Sequence, residues 1–243
     1  MVADSDHSRR KVSESESIQN QIHGEETMRP NIVLFGDSIT QESFRSGGWG
    51  ASLADTYSRK GSTKPPVATT IFLGANDAAL AGRTSERQHV PVEEYKENLR
   101  KIVRHLKECS PTMLIVLITP PPIDEEGRME YARETYGEKA MTLPERTNET
   151  TGVYAKGCIE LAGELGVRSI NLWSKMQETD GWQKKYLRDG LHLTAEGNAV
   201  VFEEVVKVFK EAWLDASEMP YDFPHHSEID GKNPEKAFQQ KCL

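Results

Sequence analysis

The sequence predicts an α/β fold in which a mostly parallel β-sheet is covered by helices on both faces. Three observations predict it. Short apolar, β-branched runs alternate along the chain with longer segments of helical periodicity. The runs at 32–35 and 113–118 are apolar throughout, as strands buried on both faces are. The 243 residues, 37% hydrophobic and 28% charged, suffice for one medium-sized domain with tails.

The elements follow in order. Residues 1–28 are rich in Ser, Glu and Arg; too little apolar surface is available there to offset ordering entropy, so disorder is expected. Ile32 to Phe35 is an apolar run ending at Gly36, read as a buried strand. Trp49 to Arg59 reads as a short helix. Val67 to Leu73 is a second strand, stopped by Gly74. Pro91 is placed at the first position of a helix, which Val92, Tyr95, Leu99, Ile102 and Leu106 continue at helical spacing. Met113 to Thr119 is a third strand, closed by Pro120, Pro121 and Pro122. Thr150 to Leu165 is helical, with Gly166 as its C-terminal cap. Val167 to Trp173 is a fourth strand. Ala195 to Leu214 is the last helix, N-capped by Thr194. The domain is placed at residues 29–214, and residues 215–243, with Pro220, Pro224 and Pro234, are read as a flexible tail.

Composition excludes several classes. The net charge is −8 and no basic cluster is dense enough to hold a phosphate backbone, so nucleic acid is not an expected partner. The longest apolar stretch, Met113 to Thr119, is far too short to cross a bilayer. No apolar core of a signal peptide precedes the first strand, and Asp4, Asp6, Glu14 and Glu16 argue against a transit peptide. The expected location is the cytosol. Cys109, Cys158 and Cys242 form no metal spacing, and the first two are read as buried small apolar residues.

Three polar segments sit where such a sheet places its ligands, beyond the carboxyl ends of its strands or at a helix entry. They are Phe35-Gly36-Asp37-Ser38-Ile39-Thr40-Gln41, Gly74-Ala75-Asn76-Asp77 and Asp189-Gly190-Leu191-His192. Each alone has an ordinary reading: a turn, a loop backbone satisfied by Asn76, a helix-entry hydrogen bond between Asp189 and His192. Together they supply what acyl transfer needs. A serine is a weak nucleophile until a base takes its proton. Histidine is the usual base. An aspartate fixes the tautomer of that histidine. Amide donors meet the developing oxyanion.

These segments resemble the GDSL, or SGNH, hydrolases, whose fold is flavodoxin-like. FGDSITQ, GANDA and DGLHLT, with PPPID after the third strand, are similar to the isoamyl acetate-hydrolysing esterase branch and to plant GDSL esterases. The resemblance runs from about Arg29 to Leu214. It implies a carboxylic-ester hydrolase acting on short-chain or acetyl esters through an acyl-enzyme, with no metal or organic cofactor. It implies Ser38 as nucleophile, His192 as general base and Asp189 as its orienter. The Ser38 backbone N–H and the Asn76 side chain would be oxyanion donors, and Asp37 would be structural.

One departure is plain. Such hydrolases carry a further block between the serine and asparagine blocks, with another strand, another helix and a glycine that is the third oxyanion donor. Here Ser38 and Asn76 lie only 38 positions apart (76 − 38), room for one βαβ unit of roughly 30 residues rather than two. Gly61 is the one glycine near the gap and lacks the matching context, so no residue takes the role. Dropping an edge strand from the order 2-1-3-4-5 leaves a sheet open along its first strand. A relative impaired in catalysis, acting as a binding or scaffold protein through that edge, is the alternative reading. His89 and His105 are read as surface residues. His225 and His226, with Asp222 and Glu228, are read as tail rather than metal site.

Overall fold

The computed structural model describes residues 31–60, 66–140, 142–221 and 224–239. The disorder expected for residues 1–28 and the roles weighed for Gly61, Asp222 and Cys242 lie outside them. The chain divides into two units, one of residues 31–58 and 66–219, the other containing the described residues 59–60, 220–221 and 224–239.

The larger unit holds four strands: β1 (Ile32–Gly36), β2 (Ala68–Phe72), β3 (Leu114–Ile118) and β4 (Arg168–Ile170). They pair in parallel in the order β1-β2-β3-β4, with Ile32 opposite Ala68, Ala68 opposite Leu114 and Val116 opposite Arg168. The fold is the parallel α/β one, and its order is that of a flavodoxin-like sheet without one edge strand. β4 is three residues long rather than the seven read from Val167 to Trp173, because Leu172–Gln177 turns into a helix capped by the Asn171 side chain.

The side-chain period of two sorts the strand residues between two cores. Ala68, Phe72, Leu114, Val116 and Ile118 face a cluster built with Trp49, Leu53, Val201, Val205 and Phe209. Ile71, Ile115 and Leu117 face the other cluster, with Tyr95, Leu99, Val103, Tyr154, Cys158 and Leu161. The first set of helical residues comes from Trp49–Thr56 and Ala195–Ala212, the second from Val92–Cys109 and Asn148–Leu165. Each face is therefore covered by helices, the first also by Leu172–Gln177 and Trp182–Tyr186 through Leu172, Met176 and Tyr186. In chain order the α-helices are α1 (Ser38–Gln41), α2 (Trp49–Thr56), α3 (Val92–Cys109), α4 (Glu125–Tyr136), α5 (Asn148–Leu165), α6 (Leu172–Gln177), α7 (Trp182–Tyr186), α8 (Ala195–Ala212) and α9 (Pro234–Gln239).

Capping residues set several ends. Thr194 Oγ1 accepts from the Gly197 N–H at 3.1 Å, and Gly166 closes α5 in the left-handed region (φ 60°). Pro91 stands one place before the first residue of α3 rather than inside it, its ψ of 142° being extended. α4 and α9 are helices the periodicity did not show. The core also runs past Leu214: Ala216 and Met219 pack on it, and the Tyr57 hydroxyl donates to Leu214 O at 2.6 Å. Cys158 is buried, which pushes its thiol up to about 12, whereas Cys109 is exposed at the end of α3, on its solvent side, and not a core residue.

Among the described residues β1 is paired on one side only. Ile32 and Leu34 pack on the core, but Val33 and Phe35 are each 45% exposed. With Thr69, Lys101, Ile102, His105 and Leu106 they line an open apolar groove of about 460 Å³. No described helix is long and apolar enough to cross a membrane.

In the smaller unit Lys60 and Tyr221 form an antiparallel bridge, and the Lys60 ammonium lies 3.8 Å from the centre of the Tyr221 ring.

Candidate active site

β1 ends at Gly36 and the chain turns at once into α1. Asp37 caps that turn, its Oδ1 accepting from the Ile39 N–H at 3.0 Å, so its placement is structural. Burial pushes the Asp37 carboxyl up, and the bond from Ile39 works against it. Gly36 has no room for a side chain: a Cβ there would stand 2.1 Å from Thr40 Oγ1 and 2.6 Å from Phe72 O. The turn leaves Ser38 as the first helical residue, half-buried, with a backbone N–H that has no intrahelical acceptor.

The loop before α8 brings the other two residues. Leu187 bridges Leu193, and the Arg188 N–H donates to His192 O at 2.9 Å, so residues 187–193 form a closed loop. Gly190 allows it: φ is +76°, and a Cβ would meet Asp124 O at 2.4 Å and the Arg128 nitrogen at 2.5 Å. The Asp189 carboxylate folds back on its own loop. Its Oδ1 accepts from the Leu191 and His192 N–H groups at 3.0 and 2.8 Å. Its Oδ2 accepts from His192 Nδ1 at 2.7 Å. With Nδ1 holding the proton, Nε2 is the free base, and it lies 3.1 Å from Ser38 Oγ.

Burial acts to raise the Asp189 carboxyl. The His192 ring and backbone donors, with the charges of His192 and Arg128, outweigh it and hold the group well below the usual carboxylate range. Asp189 is therefore ionised and able to steady a charged imidazole. Arg188 pairs with Glu42, linking this loop to the turn that follows Ser38.

Asn76 stands two residues beyond Gly74, past the end of β2, and is half-buried. Its Oδ1 accepts from Arg146 Nη2 at 3.2 Å. Sequence reasoning missed the residues behind it. Arg146 is 2% exposed; it also donates from Nε to Ala75 O at 2.8 Å and pairs with Glu145. Glu145 in turn binds Arg128, whose Nη1 donates to Asp189 O at 3.2 Å. Arginines are usually solvated, and no periodicity marks Arg128, on α4, or Arg146, in the loop before α5, as shielded from water. Ser38, His192, Asp189 and Asn76 thus gather beyond the carboxyl ends of β1 and β2.

The model of the GDSL-like lipase/acylhydrolase family matches residues 57–205, more than half of the chain. The chain belongs to this family. A GDSL esterase/lipase of Arabidopsis thaliana is 69% identical over 242 residues, covering 89% of this chain and 100% of that protein. The isoamyl acetate-hydrolyzing esterase 1 homolog of Bos taurus is 37% identical over 234 residues, 85% of this chain and 90% of that protein. Among solved structures, an Enterococcus faecalis lipase/acylhydrolase superposes with a TM-score of 0.51 at 20% identity, over 75% of this chain and 96% of that one. The acetylxylan esterase Axe2 of Geobacillus stearothermophilus gives 0.53 at 16% identity, over 75% and 95%. At these identities the structural likeness speaks for the fold, and the GDSL relatives speak for an esterase-type hydrolase.

The Arabidopsis alignment also measures a deficit. Of its 242 positions this GDSL chain fills 89% of 243, about 216, so about 26 positions (242 − 216) face no residue here.

Proposed function

We propose that this hydrolase cleaves short-chain or acetyl esters by a serine acyl-enzyme mechanism, and that its turnover is weak. The observation that carries the reading is the hydrogen-bonded line Ser38 Oγ, His192 Nε2, His192 Nδ1, Asp189 Oδ2, with links of 3.1 and 2.7 Å. His192 takes the Ser38 proton as Oγ attacks the ester carbonyl. The oxyanion that forms is met by the Ser38 N–H and Asn76 Nδ2. Collapse expels the alcohol, which takes the proton back from His192. Water, activated by the same base, then releases the acid. The isoamyl acetate-hydrolysing relatives support the choice of a small acyl group. The cytosol remains the proposed location.

Weak turnover follows from the deficit of about 26 positions, the size of a strand and a short helix. With it would go a third oxyanion donor, and losing one such donor costs about 10²–10³ in rate. The open edge of β1 favours a second reading, a binding protein that keeps the site without using it. The test is labelling with a fluorophosphonate probe together with turnover of p-nitrophenyl acetate, wild type against Ser38→Ala. Slow labelling and slow turnover that both vanish in Ser38→Ala are expected. Hydrolysis that survives in Ser38→Ala would overturn the serine mechanism. No labelling and no turnover in the wild type would favour the binding protein.

A further inference from the structure

The Asn76 amide has two ends, and only one is useful. Nδ2–H₂ stabilises an oxyanion; Oδ1 in the same place would repel it. Nothing in the Asn76 side chain itself decides between them, because a half-turn about its last bond exchanges the two. Arg146 breaks the tie. A guanidinium has donors and no acceptor, so the atom facing Nη2 at 3.2 Å must be Oδ1. The same guanidinium holds the backbone behind Asn76 through the 2.8 Å bond from Nε to Ala75 O, and Gln88 Oε1 accepts from Nη2 as well.

A buried guanidinium needs a partner. Burial works against the Arg146 charge, and Glu145 offsets it. Glu145 Oε1 is shared between Arg146 and Arg128, while Ser85 Oγ donates to its other oxygen. Arg128 reaches on to Asp189 by the bond to its backbone oxygen and a 3.7 Å approach to Oδ1. One Arg-Glu-Arg line thus runs from the oxyanion donor to the acid of the triad, buried at Arg146 and partly exposed at Glu145 and Arg128.

We propose that Arg146 is a positioning residue: it fixes Asn76 as an oxyanion donor and, through Glu145 and Arg128, ties that donor to Asp189. The inference rests on the serine-esterase reading above. Its rival is a purely structural Arg146 that pins residues 142–147 to the loop after β2. The rival predicts lost stability with unchanged chemistry; the proposal predicts that Arg146 acts on the rate through Asn76.

The test is a double-mutant cycle of Arg146→Met and Asn76→Ala in the full chain. Its readouts are kcat and KM for p-nitrophenyl acetate and the rate of fluorophosphonate labelling. In labelling, Ser38 Oγ bonds to phosphorus, fluoride leaves, the hydroxyl proton passes to His192, and the phosphoryl oxygen takes the oxyanion position. Asn76→Ala is expected to lose about 10²–10³ in both rates. Arg146→Met is expected to lose about 10–10², in kcat rather than KM. The double variant should fall within about 3-fold of Asn76→Ala alone, because a group acting through Asn76 has nothing left to act on. Losses that multiply, or a wild-type kcat in Arg146→Met, would overturn the proposal. Should Arg146→Met fail to fold, Arg146→Lys takes its place, since one ammonium cannot reproduce the two-pronged contact.

A second readout needs no turnover. The Asn76 side-chain amide signals, assigned by their loss in Asn76→Ala, should shift and broaden in the ¹⁵N spectrum of the Arg146 variant. Signals that stay in place would also overturn the proposal. Full activity in Ser38→Ala, by contrast, would sink the serine mechanism and leave the amide result to stand alone.

Discussion

Ser38 and His192 are the pair on which the proposed mechanism rests. The serine hydroxyl already meets the free ring nitrogen, and Asp189 already holds the other. Ser38→Ala or His192→Ala should therefore abolish p-nitrophenyl acetate turnover, and Asp189→Asn should cut kcat by about 10⁴, since an amide no longer fixes the required tautomer. Asp189 also gives a pH prediction. A carboxyl held below its usual range stabilises the fold above its unfolded-state value, and that contribution is lost as pH falls through the lower folded value. Urea titrations should show wild type more stable than Asp189→Asn at neutral pH. The gap should close only as pH drops below about 4. A gap that closes nearer neutrality would mean that Asp189 is not held ionised as its donors imply.

Elements decide whether these side chains meet. The loop 187–193 closes only because Gly190 accepts a positive φ and leaves room for Asp124 O and the Arg128 nitrogen. Gly190→Ala combines left-handed strain with a clash against backbone, so a loss of about 2 kcal/mol or more is expected, together with a fall in kcat. Thermal melts and p-nitrophenyl acetate kinetics check both. Thr194 is the contrasting case. Its side chain caps α8 directly after the loop, and Thr194→Ala should cost about 1 kcal/mol, or about 2–4 °C in Tm. The caps at Thr194 and Gly166 were legible because capping chemistry is local. The length of β4 was not, because Val167, Ile170, Leu172 and Trp173, spaced by polar residues, suit a strand and a helix equally well.

At the scale of the whole molecule, no described strand pairs with the outer side of β1. Half-exposed Val33 and Phe35 beside unpaired backbone make this edge a template for another strand. Phe35→Lys should reduce concentration-dependent light scattering on mild heating while leaving the fold's circular dichroism unchanged. Inserting a family-like strand and helix of about 26 residues between Lys60 and Pro65 should cover the edge, restore the third donor and raise kcat by at least about 10²-fold. Ordinary family-level activity in the chain as it stands would show that the deficit is harmless. The other end of the domain is also set by packing. Ending the chain at Leu214 removes Ala216 and Met219 from the core, so its Tm should fall relative to a chain ending at Met219.

The sequence by itself determined the alternation of strands and helices, the caps, the order of the three polar segments and the shortage of chain between Ser38 and Asn76. Those features are written in periodicity, in local turn chemistry and in counting, and each is read from neighbours along the chain. Tertiary structure alone decided what faces what across it. It ended β4 early and extended the core to Met219. It exposed Cys109 while burying Cys158, since a cysteine's environment depends on which way its helix is turned. It placed Arg128, Glu145 and Arg146 behind the site. The physical reason is that a largely shielded ion network joins a helix to a loop, and its residues look, one by one, like ordinary solvated charges.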